Sequence, residues 1–233
     1  MRKFGFTLAE VLITLGIIGV VSAITIPTLI QSYRNHVVET RLQKVYSVMN
    51  QAIQRAEADY GAKELWDFED PDFWNKYFAP YLNVLKTEII KSNYDYRIIY
   101  FPDGSALAGK ASGSGGYPNT GSGMNSDYFF FPNAKYLTEN ALNTDRKVST
   151  GVILFPFRFA PNYEIDNSGY KSYTYHKGFV PYTHNWDGTV ENLTTGYYAC
   201  TTEGGINKMP NFCTMYIMQN GWKIPKDYPF KVK

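Results

Sequence analysis

Three histidines and two cysteines among 233 residues leave little material for metal or redox chemistry. No CxxC or HxxxH spacing occurs, which disfavours a zinc site or a Cys/His centre built with His176 or His184. GxSxG, HExxH and the Walker glycine loop are missing too, so no constellation supports catalysis. A large excess of one charge is also absent. The formal charge of +2 and pI near 8.3 are too mild to announce a nucleic-acid or anionic-membrane protein. Long polar tracts do not dominate either, because 44% hydrophobic content is enough for a packed core and excludes whole-chain disorder.

Aromatic residues are plentiful: 20 Tyr and 15 Phe bring the aromatic content to 17%, a texture of short aromatic strands and partly wet surfaces. The opening MRKFGFTLAEVLITLGIIGVVSAITIPTLI is almost wholly apolar after Gly5, yet it carries Glu10. A removable secretory signal would use Arg2 and Lys3 as its basic region and Val21-Ser22-Ala23 as its cleavage site, releasing a soluble domain from Ile24. A plain anchor has the required length of about 20 apolar residues. Neither explains a carboxylate in the apolar run. A cut between Gly5 and Phe6 does, because the new amine then sits one helical turn from Glu10. The carboxylate is favoured there by the helix dipole and can pair with that amine, in its own chain or in a neighbouring subunit.

Beyond residue 30 the apolar positions Val38, Leu42, Val45, Met49, Ile53 and Ala56 recur at three- and four-residue steps, which predicts an amphipathic continuation of the same helix ending at Tyr60-Gly61. A helix from Phe6 to Tyr60 would be about 80 Å long, so its first half must project from the globular part. Pro27 should bend it, and Gly16 and Gly19 lower its local stability or serve close packing. KELWDFEDPDFWNKYFAPYLNVLKTE reads as short helices broken at Pro71 and Pro80 and packed through Leu65, Trp66, Phe73, Trp74, Phe78, Tyr81 and Leu85. From residue 94 the texture is β. Asp103-Gly104 marks a hairpin, strands continue through VILFPFRFAP, YEIDNSGYKSYTYHKGF and NWDGTVEN, and Asn167-Ser168-Gly169 and Asp187-Gly188 are turns. The expected fold class is α+β, with an antiparallel sheet packed on the inner half of the long helix.

The Gly- and Ser-rich stretch 109–126 reads as a surface loop. Cys200 and Cys213 flank a loop in a chain with an export-type N-terminus and are expected to form a disulfide. Lys223, Lys226, Lys231 and Lys233 are the residues a DNA contact would use, although solvation of the tail explains them more simply.

Gly5-Phe6-Thr7-Leu8-Ala9-Glu10 after a short basic leader, followed by the apolar run with Pro27, resembles the class III signal of type IV pilins and type II secretion pseudopilins. The resemblance is close from Arg2 to about Ile30. It implies a prepilin peptidase that cleaves after Gly5 and methylates Phe6, and a Glu10 that neutralises a neighbour's N-terminus during filament assembly. The Gly16-to-Pro27 region can lose helicity on assembly, and the disulfide would bound an exposed C-terminal loop. Some pseudopilin heads hold calcium, for which Asp166, Asn167, Asp187 and Glu191 are weak candidates, since neither turn has calcium-loop spacing; no other cofactor is implied.

The resulting organisation is a leader at 1–5, a transmembrane and filament-core helix at 6–30, an amphipathic continuation at 31–61 and a head at 62–233. Expected partners are the prepilin peptidase, other copies and related pilins, the inner-membrane assembly platform with its ATPase, and membrane lipid. The subunit would start in the inner membrane, N-terminus cytoplasmic and head outside, then enter an extracellular pilus or periplasmic pseudopilus. A minor pilin or adhesin binding DNA, a surface or a host ligand is the alternative of another class. An exported enzyme on an ordinary anchor has no site to support it.

Overall fold

The computed structural model describes residues 5, 7–68, 70, 72–90, 95–110, 126–161, 178–206 and 208–233. Its organising element is α1 (Leu8–Tyr60), one helix of 53 residues. Val38, Leu42, Val45, Met49, Ile53 and Ala56 are all buried, joined by Ala52. The three- and four-residue spacing thus identifies the packed stripe of the second half. The helix starts two residues later than Phe6, since Thr7 is its N-cap. It also continues through Pro27 without interruption. A proline in an interior turn removes one backbone donor, a local loss that the bonds on either side can bridge. At the other end Gly61 adopts φ +80° and donates its N–H to Glu57 O at 2.9 Å, which closes the last turn.

The head is an antiparallel meander of six strands in the order β1-β2-β3-β4-β5-β6: β1 (Lys86–Ile90), β2 (Tyr96–Tyr100), β3 (Ala106–Lys110), β4 (Ser126–Phe131), β5 (Phe155–Phe159) and β6 (Phe179–Pro181). The β2–β3 hairpin turns at Asp103-Gly104, as the sequence predicts, with Gly104 at φ +81°. Arg41 of α1 donates to the carbonyls of Asp103 and Pro132, and Lys44 pairs with the Asp103 carboxylate at 2.8 Å. The helix therefore clasps the turn as well as packing on the strands.

Both faces of the sheet are covered, where the sequence reading placed a single apolar face against the helix. Ile99, Leu107, Phe130, Phe155 and Phe157 pack with the α1 stripe. Ile98, Ala106, Ala108, Phe129 and Phe131 face the other way, onto Ala141, Leu142 and Leu154, from α3 (Glu139–Leu142) and the segment after α4 (Arg146–Ser149). Side chains alternate along a strand, so consecutive phenylalanines at 129–131 supply both layers.

The segment after α1 packs as expected through buried Trp66, Trp74 and Phe78 and half-buried Phe73 and Tyr81. Pro80 lies in a tight helical turn, Ala79–Tyr81, after α2 (Phe73–Tyr77), while Pro71 is outside the described residues. Leu65 and Leu85 differ from expectation: they are 84% and 71% exposed. Trp66 takes the inward position beside Leu65, stacking on Tyr77 at 4.4 Å and donating its indole N–H to Gly61 O. Leu85 leads into the edge strand β1, where its N–H donates to Tyr100 O. NWDGTVEN also departs from its expected strand: a turn at Asp187-Gly188 leads into the short α5 (Asn192–Thr195). Trp186, expected to pair in a sheet, instead donates its indole N–H to Thr189 O across that turn.

The free edge of β6 is closed by a side chain of α1. Asn50 accepts from Phe179 N at 3.1 Å and donates to Phe179 O at 2.7 Å, bonding the edge backbone as a neighbouring strand would. Gly178, at φ +119°, makes room, because a Cβ there would lie 2.6 Å from Asn50 Oδ1. Asn50→Leu leaves both groups of the buried Phe179 backbone unpaired and should lower unfolding stability by about 2 kcal/mol, read as a reduced urea midpoint with unchanged slope. An unchanged midpoint would show that the amide makes no net contribution.

Candidate processing and assembly segment

The first half of α1 carries the processing motif. Glu10 Oε2 accepts from Thr7 N and from Thr7 Oγ1, both at 2.8 Å, and Thr7 Oγ1 accepts from Glu10 N at 3.3 Å. Together these form a capping box, which satisfies two donors at the helix start. In the uncut chain the carboxylate is thus engaged by Thr7, as well as lying within one helical turn of Phe6 along the sequence. The signal was present as Thr-x-x-Glu immediately before an apolar run. Gly5 is exposed, with no heavy atom within 4 Å of where a Cβ would stand. Phe6 lies outside the described residues.

Between Glu10 and Arg34 the helix carries no charged side chain, and none of its most apolar window is buried. Leu12, Ile13, Leu15, Ile17, Ile18 and Ile24 are each at least 59% exposed, and moving each from water to hydrocarbon yields about 1.5–3 kcal/mol. The threonine hydroxyls in this stretch are already satisfied: Thr14 donates to Glu10 O and Val11 O, Thr25 to Val21 O and Thr28 to Ile24 O. No side-chain hydroxyl of these threonines needs water, which suits a lipid or helix-bundle environment. Pro27 lies where this half meets the head, beside Thr28, Gln31, Arg34 and Lys231.

Cys200 and Cys213 form a disulfide, with a Cα–Cα distance of 4.6 Å. Cys213 opens α6 (Cys213–Gln219), whose buried Met215 and Tyr216 join Tyr182, Trp186, Leu193 and Phe212 in a separate core. Asp187 Oδ1 accepts from Thr189 N and Oγ1, and Glu191 O caps Thr194 and Thr195. The turn thus uses the Asp187 carboxylate internally, and the start of α5 uses the backbone carbonyl of Glu191. Asp166 and Asn167 lie outside the described residues, as do His176, the turn at 167–169 and most of the loop at 109–126. Among the described residues no group of three His, Cys, Asp or Glu side chains is placed to hold a metal.

The basic tail does more than solvate the chain end. Lys223 Nζ pairs with Glu39 at 2.8 Å, and Ile224 N donates to the same carboxylate. Gln31 donates to Val232 O, and Val232 is buried. Tyr216 donates to Asp227, and burial together with that bond pushes its phenol up to about 12. Tyr228 donates to Gly151 O at 2.7 Å, its own phenol pushed up by burial. The tail therefore straps α6 to the neck of α1.

Residues 1–26 match the model of the prokaryotic N-terminal methylation motif, the prepilin-type signal of type IV pilins. With the long helix on an antiparallel head, this motif supports a pilin-like or pseudopilin subunit and fits a membrane-anchored pilin. Its motif implies processing by a prepilin peptidase and assembly with other pilins. Residues 28–232 match the model of a family of unknown function, DUF6613, and the chain belongs to that family. No curated protein and no solved structure matches it.

Removing the disulfide by Cys200→Ser with Cys213→Ser should lower head stability by about 3 kcal/mol, the scale for a loop of this size. Thermal unfolding with and without reductant measures it; equal midpoints for both proteins would show that the helix–loop core holds without the link.

Proposed function

We propose that this chain is a filament subunit of a type IV pilus or a type II secretion pseudopilus, cut between Gly5 and Phe6 and methylated on Phe6. The observation that carries this reading is the prepilin motif at residues 1–26 leading into a helix whose first half is exposed and apolar while its second half is packed in a head. Residues 1–5 are the leader, 6–30 the membrane and filament-core segment, 31–61 the packed continuation and 62–233 the head. Arg2 and Lys3 keep the leader cytoplasmic, so the head lies across the inner membrane. An assembly platform and its ATPase then move the subunit from lipid into a bundle of like helices.

Glu10 sets the register in that bundle. Before the cut its carboxylate is satisfied by Thr7; after it, the carboxylate pairs with a neighbour's Phe6 amine, a cation that the apolar bundle brings within reach. The ion pair contributes selection of position, while burial of the apolar stem contributes most of the stability.

Glu10→Gln separates these roles, because Gln also completes a capping box but carries no charge. The variant should insert in the membrane and be cleaved as wild type yet form filaments at about a tenth of the wild-type level or less, a loss equivalent to about 1.4 kcal/mol or more. Sheared-filament yield against membrane-retained subunit measures it. Wild-type filament yield from Glu10→Gln would defeat the register assignment.

A further inference from the structure

Two adjoining grooves lie at the neck, where α1 leaves the head. One, of about 540 Å³, is lined by Leu29, Ile30, Tyr33, Val37 and Tyr136 with Arg34, Lys135 and Lys233. The other shares Ile30 and Arg34 and adds Lys231. No Asp or Glu lines either groove. Among the described residues none of these four cations makes an ion pair, although Lys135 Nζ stands 4.7 Å from the Tyr136 ring centre.

Depth decides what such a groove meets. The uncharged stretch 11–33 spans about 35 Å as helix, against a hydrocarbon layer of about 30 Å. With Glu10 near one boundary, Arg34 falls just beyond the other, among headgroups. Tyr33 and Tyr136 are amphipathic rings of the kind that settle at that level. The apolar wall suits the glycerol and upper acyl region, and the clustered cations suit a phosphate. The same neck on a second copy would bring like charges together.

From this combination of depth, apolar lining and unpaired cations we infer that the neck groove binds the headgroup of an anionic phospholipid. The inference rests on the membrane-spanning reading of residues 6–30. The bound headgroup holds the head upright on the bilayer before extraction, with Arg34 as the shared contact of the two grooves.

The test uses the full chain in nanodiscs of equal phosphatidylcholine and phosphatidylglycerol, with native mass spectrometry of the lipids retained on release. Wild type should retain phosphatidylglycerol about tenfold over phosphatidylcholine. Arg34→Gln/Lys135→Gln/Lys231→Gln should fall to within twofold, and the exposed-site control Lys147→Gln/Lys208→Gln should keep the preference. No preference in wild type, an undiminished one in the triple variant, or an equal loss in the control overturns the site. Displacement of the lipid by millimolar inorganic phosphate overturns the lipid assignment in favour of a general anion site. Resistance to carbonate extraction, measured in phosphatidylcholine alone, reports the membrane stem separately: a chain that resists extraction but shows no lipid preference defeats the groove and leaves the stem intact.

Discussion

A single unbroken helix, α1, has to satisfy two surroundings at once. Its backbone bonds run from Thr7 to Gly61, but the second half buries an apolar stripe against the head while the most apolar stretch of the first half is unburied. The packed half fixes the angle and rotation at which the exposed half projects. The exposed half in turn requires an apolar medium, either lipid or other copies of itself. Everything else in the molecule follows from how these two halves are joined and terminated.

The joint is reinforced from several directions. Arg41 and Lys44 hold the β2–β3 turn, Asn50 closes the β6 edge, and Glu39 takes the tail through Lys223 and Ile224. These contacts come from widely separated parts of the sequence and meet on a short length of α1. Force applied to one half of α1 is transmitted through this joint, which the proposed extraction of the stem into a filament would require. The disulfide and the tail Tyr228, bonded to Gly151 O, extend the same rigidity to the part of the head around α6.

Much of this was legible in the residues because the governing signals are periodic or local. The α1 stripe was readable from its spacing, the β2–β3 hairpin from Asp103-Gly104, and the cysteine pair from export context. The processing motif was legible as a short ordered string. What escaped were features set by tertiary partners. Asn50 reads as a polar residue beside an apolar stripe until a strand edge is placed against it. Lys223 reads as one of four tail lysines until Glu39 faces it. The helical turn over NWDGTVEN and the outward Leu65 and Leu85 depend on which neighbour fills the core, and here Trp66 displaced a leucine. Thr7 is different, since its capping-box signal, Thr-x-x-Glu before an apolar run, is local and needs no tertiary partner.

The central claim is that the apolar stem is kept and only the leader is removed. Mass and N-terminal sequence of the mature protein from membranes test it most directly. The account predicts a chain that begins at Phe6 and carries one methyl group on its amine. A chain that begins at Ile24 would mean that the stem is discarded as an ordinary export signal, and the filament account would be contradicted.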